Sequence, residues 1–230
     1  LVLCLSIPGV MLIEKFAEGG WITLTITGLC IAVCTAILKH YRNTARRVEE
    51  ADKIFVTARF PSRAAQMAEW DPAKPTAVVL VSRYGGLGIH PFLTIFRLFP
   101  ETFKNVVFAS VGVVDSRVFS GKEGVEAIEE KARIVLERYR DLATRLGIPS
   151  RSALRVGTDV VEEASQLCLE VIKEYPRGVI FSGELIFDEP KWYHRILPND
   201  LAYAIQRRIR FAGLPMVILP YVLRRTAQKG

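Results

Sequence analysis

From Trp21 to Leu38 the chain reads WITLTITGLCIAVCTAIL, with no charged residue, and then turns abruptly basic in KHYRNTARR. A helix rises about 1.5 Å per residue and a bilayer core is about 30 Å thick, so roughly 18 to 20 apolar residues cross it. The pattern therefore predicts a transmembrane helix over Trp21–Leu38. Trp21 and Tyr41 lie near its two ends, where amphipathic rings favour the membrane interface. Lys39, Arg42, Arg46 and Arg47 follow at once, and the positive-inside bias then places the C-terminal side in the cytoplasm. Threonines 23, 25, 27 and 35 fit such a helix if their hydroxyls bond back to carbonyls of the preceding turn. Leu1–Ile13 is apolar but too short to span alone. It is expected to be the last part of an earlier span, with Glu14–Gly20 as the hairpin loop between the two.

After Lys39 the periodicity changes. Val48, Ala51, Ile54 and Phe55 recur at helical spacing, which predicts a juxtamembrane helix to about Ala58. Pro61 breaks it, and a short helix is expected from Ser62 to Trp70. Asp71-Pro-Ala-Lys-Pro75 is a stiff linker. From Thr76 onward, strands alternate with helices. The apolar runs Ala77–Val81, Val106–Val114 and Gly178–Ser182 have the β-branched composition of strands buried on both faces. Ala153–Val156 is shorter and more polar, as an edge strand would be, and Pro215–Leu223 is the last strand. Helices are expected from Pro91 to about Phe103, over Gly121–Leu146, from the Asp159 cap to about Tyr175, and over Asp200–Ala212. Gly183–Asn199 reads as an irregular loop. The expected fold class is α/β: a transmembrane helical hairpin remnant (1–38), a juxtamembrane linker (39–75) and a five-stranded parallel sheet (76–230) with helices on both faces.

The averages, 50% hydrophobic and 24% charged with a formal charge of +7, conceal this division. Much of the basic excess lies just after the apolar segment, which points to anionic lipid rather than nucleic acid as its partner. No CxxC pair occurs among Cys4, Cys30, Cys34 and Cys168, so the sequence indicates neither a disulfide framework nor a metal site.

Ligands of open α/β sheets bind beyond the carboxyl ends of strands, where strand order reverses. The first and fourth strands should flank that point. Their exit loops bring together Ser82, Gly85, Gly86, Gly88, Ser182, Gly183 and Glu184, a candidate pocket for a nucleotide or phosphate. The competing account is that a tight strand-to-helix turn needs glycines for steric reasons alone. No GxxxxGK[ST] is present, and Pro91 stands where a dinucleotide fingerprint would have its third glycine. His90 and Asp115 could serve as acid–base groups, yet no nucleophile, base and orienting group assemble around them. Asp188, Glu189, Lys191, His194 and Arg195 form a charged loop, with Trp192 and Tyr193 beside it as a possible contact surface. The basic run Gln206–Arg210 suits a lipid or membrane-protein surface.

Two stretches resemble known families. Ile13–Leu24, with KFAEGGWITL inside it, looks like the segment entering the final membrane helix of Kup-type and KimA-like potassium importers, which related permeases of the amino acid–polyamine–organocation superfamily share. Gly157–Ala164 (GTDVVEEA), Val179–Leu185 (VIFSGEL), Gln206-Arg-Arg and Gly213–Pro220 (GLPMVILP) resemble the universal stress protein-like domain at the C-terminus of several such permeases.

The resemblance implies the end of a proton- or cation-coupled secondary transporter for potassium or amino acids. It would be multi-pass in the cell inner membrane, with the soluble domain acting in regulation and dimerisation rather than catalysis. It also implies a homodimer through the last strand, Met216, Val217, Ile218 and Leu219 included. Universal stress proteins that bind ATP carry an Asp at the end of the first strand and a Gly-x2-Gly-x9-Gly-Ser/Thr run after the fourth. Here Ser82 ends the first strand and Gly183-Glu-Leu-Ile186 follows the fourth, so the ATP motif is incomplete. KimA-like relatives are regulated by cyclic di-AMP through this domain, but no residue here matches that site. A membrane-tethered nucleotide sensor without transport activity is the alternative.

Overall fold

A computed structural model describes residues 21–22, 25–39, 42, 69–114, 122–187 and 201–223. The chain divides into two units, Leu1–Arg47 and Val48–Gly230. In the first, residues 21–22, 25–39 and 42 are helical. Thr25 and Thr35 behave as expected: Thr25 donates to the Trp21 carbonyl at 2.8 Å, and Thr35 to those of Ile31 and Ala32 at 2.9 Å. Among the described residues, however, no helix is long and apolar enough to cross a membrane. The predicted interface residues Tyr41, Arg46 and Arg47 lie outside the described residues. So do the first apolar stretch, most of the juxtamembrane helix, Asp115 and the charged 188–199 loop.

In the second unit the strands are β1 (Thr76–Leu80), β2 (Asn105–Val113), β3 (Ser150–Gly157), β4 (Gly178–Phe187) and β5 (Met216–Leu223). They alternate with helices α1 (Gly86–Leu98), α2 (Lys122–Arg145), α3 (Val160–Glu174) and α4 (Leu201–Arg210). All strand pairings are parallel, in the order β3-β2-β1-β4-β5. This is the predicted five-stranded sheet, with the polar strand β3 at one edge and β5 at the other.

Strand alternation divides the core in two. Ala77, Val79, Phe108 and Phe181 face α1 and α2, while Val78, Val107 and Ile180 face α3 and α4. On the first side Phe108 meets Phe92 edge-on at 5.2 Å and stacks with Tyr139 at 5.0 Å. Such ring pairs contribute about 0.5–1.5 kcal/mol beyond their buried area. On the second side, Asp159 caps α3 as expected, accepting from the N–H groups of Val161 at 2.9 Å and Glu162 at 3.1 Å.

Several element boundaries depart from the sequence reading, among them the end of the first helix, at Leu98 rather than Phe103, and β3, which spans Ser150–Gly157 rather than Ala153–Val156. The helix expected at Pro91 begins five residues earlier, at Gly86, and encloses the proline. Strand β4 does not stop at Ser182 but continues to Phe187, because its last five residues pair with Leu219–Leu223 of β5. The supposed loop from Gly183 is therefore strand in its first part.

The linker is docked onto the sheet rather than hanging free. Trp70 packs edge-on against Tyr175 at 5.4 Å, with the Arg151 guanidinium 4.7 Å above its ring. Asn105 donates to the Asp71 carbonyl at 2.6 Å, and Arg177 to that of Ala73 at 3.4 Å. Trp70→Ala removes a half-buried ring together with its cation–π partner, and should cost about 2 kcal/mol. Denaturant unfolding of the variant checks it; an unchanged midpoint would show that the linker contributes nothing to the unit.

Candidate functional site

Successive strands run outward from β1 through β2 to β3, and β4 then returns to the other side of β1. The order reverses between β1 and β4, as the sequence suggested. Leu80 lies level with Ser182, so both exit loops open at this one point.

What occupies the point is the protein itself. Tyr139, fully buried on α2, reaches under the glycine turn and donates its hydroxyl proton to the Arg83 carbonyl at 2.9 Å. The Gly85 N–H lies 3.5 Å from that hydroxyl oxygen and donates to it. A Cβ on Gly88 would collide with the same hydroxyl and stand 2.8 Å from the ring carbon bearing it. The N–H groups of Gly88 and Ile89 both return to the Gly85 carbonyl, at 3.1 and 2.9 Å. Gly183 has a matching reason: a Cβ there would overlap the Leu87 carbonyl oxygen and lie 2.9 Å from Pro91 Cγ. Pro91 has no N–H to offer that carbonyl, four residues before it, so the first turn of α1 turns a carbonyl free of its helical bond toward β4. Gly88 and Gly183 thus serve close packing of helix on strand.

Of the remaining predicted residues, Ser82 is exposed and Ser182 is buried, its hydroxyl 3.5 Å from the Gly183 carbonyl. Glu184 accepts a hydrogen bond from Tyr203 of α4 at 2.8 Å, which places it on the α3–α4 side of the sheet. Gly85, Gly86, Gly88 and Gly183 come together against α1, while Ser182 and Glu184 belong to the other face. Tyr139 and Tyr203 were not singled out from the sequence. The only signal for Tyr139 was its place on the apolar stripe of α2, beside Leu136 and Leu142.

His90 is half-buried with its ring 5.2 Å from that of Tyr221, and its Nδ1 has no hydrogen-bond partner. Burial, and then the charge of Arg97, hold its pKa below the ordinary 6.5. No carboxylate among the described residues hydrogen-bonds it, so nothing orients it as a general base. Burial pushes the Cys168 thiol up to about 12, which leaves it unreactive near neutrality. Among the described residues no group of three or more His, Cys, Asp and Glu could hold a metal ion. A groove of about 500 Å³ lies away from the reversal point, between α2 and β3. Its wall carries Arg133, already paired with Glu129 at 2.7 Å, and its floor is Leu136, Leu154 and Val156.

Comparison with solved structures gives a partial likeness. No family model matches the chain, and no curated protein does. A crystal structure of a protein from the universal stress protein family of Burkholderia pseudomallei is similar, at 19% identity and a TM-score of 0.44. The match covers 63% of this chain and 96% of that one.

Two outcomes follow from this geometry. Gly183→Ala should lower stability by about 1–3 kcal/mol, because neither the Leu87 carbonyl nor the Pro91 ring is a flexible side-chain end that can swing away. A thermal midpoint equal to that of the parent would contradict the contact. His90 binds its proton less readily folded than unfolded, so its contribution is intact above about pH 6.5 and is lost as pH falls toward the folded pKa. Thermal midpoints measured across that range should decline, and His90→Phe, which keeps a ring against Tyr221, should decline less. Equal slopes would remove His90 from the account.

Proposed function

We propose that the α/β unit is a non-catalytic regulatory and dimerisation module, forming the cytoplasmic C-terminal portion of a secondary active transporter at the cell inner membrane. The observation that carries the reading is β5. It is hydrogen-bonded to β4 on one side only, it is apolar from Met216 to Leu219, and Val217 remains 36% exposed. An open apolar edge of this kind is a template for a second copy. Pro220 is tolerated there because an edge strand can spare an N–H.

The crevice supports regulation without nucleotide turnover. A nucleotide sensor needs room where the strand order reverses, and that room holds Tyr139, the Leu87 carbonyl and Pro91. The membrane half of the proposal rests on the first unit. Trp21, Ile22, Ile26, Leu29, Ile31, Val33, Ile37 and Leu38 are 42–65% exposed, a surface that lipid solvates and water does not. The resemblance of Ile13–Leu24 to potassium importers and related permeases supplies the transporter, with potassium or an amino acid as cargo and the upstream membrane helices as partner.

The test is the oligomeric state of the full chain in detergent by light scattering. A dimer is expected, and Val217→Lys should turn it into a monomer without altering the circular dichroism spectrum. A monomeric parent, or a dimer indifferent to the lysine, defeats the reading.

A further inference from the structure

All four helices follow a strand of a parallel sheet, so each runs back toward the strands' amino ends and its last turn lands there. Each last turn is basic: Arg97 on α1, Arg145 on α2, Lys173 on α3, and Arg207, Arg208 and Arg210 on α4. Arg208 is taken by Glu162, but Arg97, Arg145, Lys173, Arg207 and Arg210 make no ion pair among the described residues. Two of the acidic groups at this end, Asp71 and Glu174, are already paired with Lys74 and Arg151.

Cations at helix C-termini complement the dipole, and one per helix would suffice for that. Three features go beyond it. Basic groups cluster on α4, where Arg207 and Arg210 stay unpaired. Apolar residues are exposed at the ends of α1 and α4: Leu98 is 55% exposed, Phe99 39%, and Phe211 84% with the Arg210 guanidinium 5.9 Å from its ring centroid. The linker Trp70–Pro75 also leads into β1 at this end.

We infer that the amino-end face of the sheet is a docking surface for anionic lipid headgroups, with Arg207 and Arg210 on phosphates and the Phe211 ring in the interfacial layer. Cations interleaved with exposed aromatic and aliphatic tips are the composition that anionic membrane surfaces bind. Nucleic acid would use the same cations, but it offers no apolar layer for Leu98, Phe99 and Phe211. The inference rests on the membrane reading proposed above and adds to it a face of the α/β unit and the charge of the lipid.

The test uses the full chain with vesicles whose lipids are brominated near the headgroup, prepared either zwitterionic or with added anionic phospholipid. In a Trp70→Phe/Trp192→Phe background, Phe211→Trp with Trp21→Phe reports the docking face without touching the core, and the same background with Trp21 kept and Phe211 unchanged reports the apolar segment. The added tryptophan should be quenched in anionic vesicles and little in zwitterionic ones. Combining it with Arg207→Glu and Arg210→Glu should abolish that quenching, since each arginine changes surface partitioning on the order of fivefold. Quenching of Trp21 without quenching at position 211 overturns the docking surface and leaves the membrane reading standing. No quenching of either tryptophan defeats both. Quenching that ignores lipid charge or the charge reversal overturns the role of the arginines. Binding to an RNA duplex with no quenching at position 211 would assign the face to nucleic acid instead.

Discussion

The fold turns on how closely α1 lies against the sheet where strand order reverses. That closeness depends on atoms that are missing: a Cβ at Gly88, a Cβ at Gly183 and an N–H at Pro91. With all three absent, the first turn of the helix sits directly on β4 and the Tyr139 hydroxyl threads beneath the glycine turn. Beside the carboxyl-end crevice, the usual place for a ligand in open α/β sheets, the space beneath the glycine turn is thereby filled by the protein's own groups.

Much of this organisation was legible in the chain. Ala77–Val81, Val106–Val114 and Gly178–Ser182 announced central strands through unbroken β-branched runs, and each proved to be one within a residue at its start. The polar composition of Ala153–Val156 marked β3 as an edge, although its eight-residue length was not evident. The failures have local causes. Pro91 is ordinarily a helix-start signal, and Gly85–Gly88 ordinarily a turn, so together they disguised five residues of helix. Gly183-Glu-Leu looked like loop because the partner that makes it strand, Leu219–Leu223, is distant in sequence. The loops carrying the seven candidate ligand residues open beside one another, but the sequence could not show that Ser182 and Glu184 lie on the opposite face from Gly183. Nor could it show that Tyr139 fills the space beneath the turn.

The topology also sorts charge. A parallel sheet with returning helices collects every helix C-terminus at one end, and with them the cations that dipoles favour. Residues far apart in the chain, from Arg97 to Arg210, therefore share a face that no window of sequence would reveal. The sequence reading attributed basic character to the segment after Leu38 and to Gln206–Arg210 alone.

The two rims of the sheet are finished differently. Beside β5 there are apolar side chains and an exposed valine. Arg155 of β3 is instead clasped by Glu163 at 2.7 Å, Glu170 at 2.6 Å and Gln166 at 3.1 Å, all on α3. Arg151 is likewise tied to Glu174. Charge held along one rim discourages it from accepting the greasy rim of another molecule, which is the head-to-tail contact that would propagate without limit. In the dimer proposed above, like rim would meet like rim about a twofold axis and growth would stop at two, with the ionic clasp on β3 guarding against filaments.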